Sequence, residues 1–190
     1  NHHLTPTEWN EMIAEEEVII IDTRNTYETE IGMFKNAVDP NLKHFRFFPD
    51  FVKKSKIPKD KKVLMYCTGG IRCEKALIEM QNQGYKHVYQ LQGGILQYME
   101  EFPDGLFEGE CFVFDHRTSV DKNLEPSKTY SLCPHCGDPG KEHITCLRCS
   151  KEGIVCVDCL KNPSKETCSK DCAHVVFRKK KIETQEVLSS

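Results

Sequence analysis

The sequence predicts an α/β protein, with a mainly parallel sheet flanked by helices and a small C-terminal domain held together by metal. Three observations predict it. Short continuous apolar runs, Val18-Ile19-Ile20-Ile21 and Val63-Leu64-Met65-Tyr66, alternate with helical patterns at the spacing of βαβ units, as expected of strands buried on both faces. One of these runs delivers Cys67 to a glycine-bearing loop that opens a helix. Eight of the eleven cysteines crowd between Cys133 and Cys172 in four close pairs.

With 190 residues, 38% of them hydrophobic, and a formal net charge of -3, the chain can hold one compact domain and a smaller second one. No run reaches the roughly eighteen apolar residues of a membrane span, and no signal-peptide core is visible, so no membrane partner is expected. The chain begins at Asn1 rather than Met, and the expectation is a fragment or a processed product. Net acidity does not exclude RNA, because local patches decide phosphate binding. Composition shifts near residue 120. The expected domains are therefore 1–120, a cysteine-rich zinc-binding domain over 121–178, and a polar, disordered tail over 179–190; the basic cluster at that boundary, Arg178-Lys179-Lys180-Lys181, could meet RNA phosphates, although a solvated tail is the safer expectation.

Taken in order, Thr5-Pro6-Thr7-Glu8 is a capping box with proline at the first helical position, opening a helix to about Glu16. Val18 to Ile21 is the first long strand. Asp22 and Arg24 follow at its carboxyl end, where functional groups of open α/β sheets gather. They either lie near Cys67 or form an ion pair with each other or with Glu28. Gly32 marks a turn. Phe45-Arg46-Phe47-Phe48-Pro49 could stack on a nucleotide through its aromatics and Arg46, although packing of the phenylalanines in the core is the better expectation. A helical segment, Asp50 to Lys54, and a solvated charge run, Lys59 to Lys62, lead to the strand before Cys67. A helix over Glu74 to Gln83 buries Ala76, Leu77 and Met80 and stops at Gly84. His87 to Leu91 is another strand, broken by Gly93-Gly94, with a helix from Ile95 to Glu101.

Cys67 is the candidate reactive residue. Inward-pointing backbone N–H groups and the positive end of a helix stabilise a thiolate or persulfide at such a strand-to-helix turn and lower its pKa. Arg72 adds a fixed positive charge. Thr68, Gly69, Gly70 and Ile71 form the loop between them. The bland alternative is a buried structural cysteine. Four residues between Cys67 and Arg72 make the loop one shorter than that of phosphate-cradling cysteine phosphatases, which suits a single sulfur atom. Cys73 is either a resolving thiol for a persulfide or sulfenic acid on Cys67 or an inert helix residue.

The cysteine-rich end reads Cys133-x2-Cys136-x9-Cys146-x2-Cys149-x6-Cys156-x2-Cys159-x8-Cys168-x3-Cys172. Four pairs make two closed four-thiolate zinc sites of structural type, favoured over disulfides in a chain that keeps a reactive thiol. The zinc supplies stability that a domain of this size with few large apolar residues lacks. Spacing leaves open whether adjacent or alternate pairs share an ion. His135, His143 and His174 are possible substitute ligands.

Cys67-x-x-Gly70-x-Arg72 after an apolar strand resembles the active-site loop of rhodanese domains, in which the matching cysteine carries a sulfane sulfur, and the stretch Tyr27 to Ala37, with Glu30-Ile31-Gly32 at its centre, resembles the rhodanese signature in which a glutamate precedes a turn and a short strand. Taken with Asp22-Thr23-Arg24-Asn25, Phe45-Arg46-x-Phe48-Pro49, the extended loop through Cys73-Glu74-Lys75, Gln92-Gly93-Gly94-Ile95, Glu101-Phe102-Pro103-Asp104-Gly105 and Phe112-Val113-Phe114-Asp115-x-Arg117, nearly the whole chain is similar to the bacterial rhodanese-related tRNA uridine hydroxylases.

That resemblance implies a rhodanese-like fold and oxygen-dependent hydroxylation of the wobble uridine of tRNA at carbon five. Its site would comprise Cys67 as the catalytic position, Arg72 shaping the loop, Cys73 as the second family cysteine, and Asp22, Arg24, Glu28 and Arg46 in support. Molecular oxygen is then a co-substrate, two zinc ions are structural, and no nucleotide cofactor is expected; the sequence carries neither an iron-binding facial triad nor a flavin motif. The location is expected to be cytoplasmic. Family members usually carry a ferredoxin-like domain ahead of the rhodanese domain, and no counterpart is present in the sequence. Two other functions fit the residues: a sulfurtransferase in which Cys67 takes sulfur from thiosulfate or a protein persulfide, and a non-catalytic module binding protein or RNA through its zinc knuckles.

Overall fold

Parallel pairing of four short strands sets the frame that positions Cys67. The computed structural model describes residues 2–15 and 17–188. The strands are β1 (His3–Leu4), β2 (Val18–Asp22), β4 (Lys62–Tyr66) and β5 (His87–Leu91), in spatial order β1-β5-β4-β2. Every pairing among them is parallel, with Asp22 opposite Tyr66 and Met65 opposite Gln90. Between β2 and β4 lie a four-residue helix α2 (Thr26–Thr29), strand β3 (Gly32–Phe34), a 3-10 turn (Phe45–Phe47) and helix α3 (Phe48–Lys54). Helices α1 (Pro6–Glu15), α4 (Ile71–Asn82) and α5 (Gly94–Glu101) alternate with the strands as the apolar runs require. Strands β6 (Phe107–Gly109), β7 (Cys111–Phe112) and β8 (Ser119–Val120) follow. β6 pairs antiparallel with β3.

Alternation along β4 explains its unbroken apolar sequence. Leu64 and Tyr66 face a core that includes Trp9 of α1, Ile95 and Tyr98 of α5, and Phe34. Val63 and Met65 face the opposite core, with Phe48 and Val52 of α3 and Ala76, Leu77 and Met80 of α4. Each face is dry, so both parities of the strand must be apolar. The capping box opens α1 as expected: the Thr5 N–H donates to Glu8 Oε2 at 2.8 Å and the Glu8 N–H donates to Thr5 Oγ1 at 3.3 Å. The helix ends at Glu15, and Glu16, where the sequence reading ended it, lies outside the described residues.

Four expectations are corrected. Gly32 is not the turn residue but the first residue of β3; a Cβ there would meet Glu110 O at 2.4 Å, so glycine is required by the close approach of a neighbouring segment. Of the aromatic cluster, Phe48 packs the core, whereas Phe47 is exposed and the Arg46 guanidinium lies 4.9 Å from its ring centroid. The helix after Cys67 starts at Ile71, three residues earlier than the apolar pattern indicates, because Gly70 at φ +94° ends the loop there. Residues 179–188, expected to be disordered, continue helix α7 (Lys170–Leu188), since no glycine or proline interrupts the segment; 189 and 190 lie outside the described residues.

The chain divides into two compact units, Asn1–Phe114 with Val120–Pro126, and Asp115–Ser119 with Ser127–Ser190. Besides α7, the second unit holds two antiparallel ladders, β9 (Ser131–Leu132) with β10 (Pro139–Gly140) and β11 (Glu142–Thr145) with β12 (Glu152–Val155), and a one-turn helix α6 (Val157–Leu160). Its core cluster is Ile144 and Val155 among Cys133, Cys156 and Cys159, with Leu160 packed alongside. Among the described residues no helix is long and apolar enough to cross a membrane.

Candidate active site and metal centres

Strand β4 ends at Tyr66, and the next residue, Cys67, opens a loop that turns sharply into α4. Gly70 takes a left-handed conformation that a side chain would disfavour. Its N–H donates to Cys67 Sγ at 3.1 Å. The loop's carbonyls are held away from the sulfur by the start of α5: the Ile95 N–H donates to Cys67 O at 3.0 Å and the Leu96 N–H to Thr68 O at 3.2 Å. This requires Gly94, where a Cβ would meet Cys67 O at 2.5 Å and Thr68 O at 2.6 Å. Carbonyls turned to one helix leave N–H groups turned to the sulfur, a concavity suited to an anion.

The Cys67 thiol is pushed down to about 6, chiefly by the thiol of Cys73 donating to it, with the positive Arg72 and the backbone N–H groups of Cys73 and Arg72 acting in the same direction against the penalty of burial. Cys67 is therefore a thiolate at neutral pH. Cys67 is itself buried, at 1% exposure, so burial alone does not set its charge; Cys73, equally buried, is pushed well above the ordinary range by desolvation. Its Sγ also lies 3.6 Å from Thr23 Oγ1. Cys73 thus sits beside Cys67 as a protonated hydrogen-bond donor.

Arg72 pairs with Glu28, Nη1 to Oε2 at 2.5 Å and Nη2 to Oε1 at 2.8 Å, and Nη2 also donates to Thr68 Oγ1 at 3.2 Å. Glu28 is fully buried and fixed from the other side by the Asn25 N–H, which donates to Oε2 at 3.0 Å. Both Arg72 and Thr68 are thereby oriented from α2, across 44 and 40 residues of sequence. Asp22 and Arg24 form a separate, fully buried pair, with Nη2 to Oδ2 at 2.7 Å, and Arg24 Nη2 also donates to Gly32 O at 2.5 Å. The alternative in which they pair with each other is the one found. Arg46 is exposed and stacked on Phe47. Gly69 leaves open space where a Cβ would stand, and Ile71 is exposed.

Sequence reasoning missed Thr23 as the contact to Cys73 and Gly94 as the support beneath the loop. The doubled glycine immediately after β5 is a signal that could have found the latter. Cys111, one of the three scattered cysteines, is buried and pushed up to about 12 by that burial. Arg24 and Thr68 act to lower it, but burial outweighs them, the reverse of the balance at Cys67.

In the second unit the eight clustered cysteines sort into two groups: Cys133, Cys136, Cys156 and Cys159; and Cys146, Cys149, Cys168 and Cys172. Alternate pairs are shared, which resolves the ambiguity left by spacing. Within each group the sulfurs lie within 4.8 Å of one another, with Cys136–Cys156 and Cys149–Cys168 both at 3.5 Å and Cys168–Cys172 at 3.8 Å. A tetrahedron with metal–sulfur bonds of about 2.3 Å has edges of about 3.8 Å, close to these shorter separations, so each group could hold a metal ion. The first two pairs use one device: the Gly137 N–H returns to Cys133 O, and the Ser150 N–H to Cys146 O, each at 2.9 Å with positive φ at the returning residue. The histidines are in neither group. His135 instead lies 3.0 Å from Thr167 O through Nε2.

The family model for the rhodanese-like domain matches residues 5–101, and that for the rhodanase C-terminal segment matches residues 108–173. The chain is 55% identical over 176 residues to a tRNA uridine(34) hydroxylase of Bdellovibrio bacteriovorus, covering 92% of this chain and 50% of that protein. It is 53% identical over 141 residues to a protein of the same name from Acinetobacter baumannii strain AYE, covering 73% and 45% respectively. The chain thus spans about half the length of the curated relatives it matches. The solution structure of a rhodanese-like domain from Anabaena sp. aligns with a TM-score of 0.48 at 19% identity, covering 57% of this chain and 80% of that one. The strand–Cys67–glycine loop–helix arrangement and the match over 5–101 agree, and the chain belongs to the rhodanese-like family.

Proposed function

We propose that the whole protein of which these residues are part hydroxylates the wobble uridine of tRNA at carbon five, with molecular oxygen as co-substrate and Cys67 as the reactive residue. The observation that carries this reading is 55% identity over 92% of the chain to a relative whose name specifies uridine 34 of tRNA. The chemistry of the loop supports it. Carbon six of a uracil ring is the β carbon of an unsaturated carbonyl, so a thiolate can add there and leave carbon five electron-rich, the carbon to be oxidised. Conversion of uridine and oxygen to 5-hydroxyuridine and water also consumes two electrons and two protons, taken in this reading from an external dithiol that leaves as its disulfide, since Cys67 as nucleophile returns unchanged. In this reading Cys67 is the nucleophile, Arg72 and the loop Thr68, Gly69, Gly70 and Ile71 hold it charged, and Cys73 steadies the thiolate. Asp22, Arg24 and Glu28 act through the loop as positioning residues. Arg46, outward on the α3 side, would meet the RNA backbone. Zinc, the usual partner of closed four-thiolate sets, would fill both metal centres in a purely structural role. Work on tRNA would place the protein in the cytoplasm.

The test is incubation of the full-length protein with unmodified tRNA under isotopically heavy oxygen, followed by nucleoside mass spectrometry. Labelled hydroxyl on the wobble uridine is expected; hydroxyuridine with unlabelled oxygen would rule out oxygen as the source. A second reading, sulfur transfer, is favoured by one observation: the Gly70 N–H aimed at Cys67 Sγ would equally hold an added sulfur atom. A mass gain of one sulfur on Cys67 after thiosulfate treatment supports it, and an unchanged mass counts against it.

A further inference from the structure

Of the ten large hydrophobic side chains that stand exposed among the described residues, the two most exposed in the first unit are Ile71 at 80% and Phe114 at 69%, and both adjoin Arg72. Ile71 and Arg72 are the first two residues of α4, and the Arg72 guanidinium lies 5.7 Å from the Phe114 ring centroid. A single exposed apolar residue needs no explanation. One whose ring lies against the arginine that helps charge the reactive thiolate does. Phe114 is also held in place: its ring meets Phe112 edge-on at 5.1 Å, and Phe112 meets Tyr27 edge-on at 5.2 Å, so a short aromatic ladder braces it from the buried side. A braced, solvent-facing aromatic ring beside a cation is the arrangement on which a nucleobase stacks, because a planar base offers a π face to the phenyl ring and carbonyl oxygens to the guanidinium.

We propose that Phe114 is the positioning residue for the substrate base: the uracil ring stacks on its exposed face, with Arg72 at its edge. This rests on the tRNA reading of the site. The stack fixes the ring plane next to Cys67 and tells a flipped-out base from a stacked, paired one, since only an extruded base can offer a face to Phe114.

The test measures hydroxylation kinetics of the full-length protein on tRNA for wild type, Phe114→Ala, Phe114→Tyr and Ile78→Ala, the last removing an apolar side chain of 58% exposure from α4 as a control. Phe114→Ala is expected to raise KM about tenfold or more, with turnover at saturating tRNA far less affected. Phe114→Tyr restores the wild-type value, and Ile78→Ala leaves it unchanged. The iodoacetamide reaction rate of Cys67 stays the same in all four, which separates stacking from damage to the loop. An unchanged KM in Phe114→Ala, or the same loss in Ile78→Ala, overturns the proposal while leaving the hydroxylase reading intact. Should the wild-type protein form no hydroxyuridine, that reading fails by itself. The stack is then judged by the fluorescence of a Phe114→Trp variant on titration with an RNA stem-loop displaying an unpaired uridine: quenching supports it, and no change overturns it.

Discussion

The two units of the chain reach a folded state by different means. The first unit buries Trp9, Phe34, Leu64, Tyr66, Ile95 and Tyr98 on one face of its sheet and a second apolar set on the other, so it has a core in its own right. The second unit has one small cluster in which three of the five buried members are cysteines that belong to a metal group. Their charges differ as well: the first carries 14 Lys and Arg against 20 Asp and Glu, the second 12 against 9, although two metal-bound thiolate sets would offset that excess. The difference separates cysteines grouped so that a metal ion could join them from one cysteine set in an N–H-lined loop. A thiolate in the first unit is held charged by N–H groups and a neighbouring thiol; in the second, sulfurs gather in fours where a cation could neutralise them.

Removing metal should break the comparison most sharply. Structural zinc contributes on the order of 10–16 kcal/mol in small domains. A strong chelator is therefore expected to unfold the second unit while the parallel sheet of the first survives, as hydrogen exchange would show by protection retained in β4 and lost in β11 and β12. Simultaneous loss in both would mean that the first core does not stand alone. Next in size is Asp22→Asn, which leaves the guanidinium of Arg24 buried without its carboxylate. Breaking a fully buried pair from one side costs about 3–5 kcal/mol, measurable as a lower denaturation midpoint of the first unit with the second unaffected.

The third prediction concerns pH. The rate of Cys67 alkylation should follow its thiolate, half-maximal near pH 6, since the thiol is pushed down to about 6, and falling as pH drops below that value. Cys73 and Cys111, both pushed up by burial, should stay unlabelled at neutral pH. A midpoint near the ordinary cysteine value would show that the loop does not charge its sulfur. The smallest effect is expected from Ser150→Gly. Ser150 holds φ +57° at the place where the other knuckle has Gly137 at +87°, so glycine should stabilise the second unit by about 1 kcal/mol in a metal-loaded melt.

Much of this was legible in the sequence because it is local. The apolar parity of β2 and β4, the capping box at Thr5, the glycines around Cys67 and the four cysteine pairs each occupy a few consecutive residues, and each reports its own geometry. What was not legible depends on partners far along the chain. Glu28 could have paired with Arg24 or Arg72, and only the fold brings α2 to the Cys67 loop. The grouping of cysteine pairs is silent in the spacing, since adjacent and alternate pairings need the same residues. Whether Cys73 resolves or merely donates turns on its burial, which no local pattern encodes. Gly94 and Gly32 show the same limit: their lack of a side chain matters because of Cys67 and Glu110, 27 and 78 residues away.

The central claim is that Cys67 performs chemistry on the wobble uridine, and it is tested most directly by nucleoside analysis of tRNA from cells lacking the full-length gene, complemented with the wild-type protein or with Cys67→Ser. The account predicts 5-hydroxylated uridine restored by wild type alone, with both proteins accumulating to the same level. Restoration by Cys67→Ser, or no difference in hydroxylation among all the strains, would contradict it.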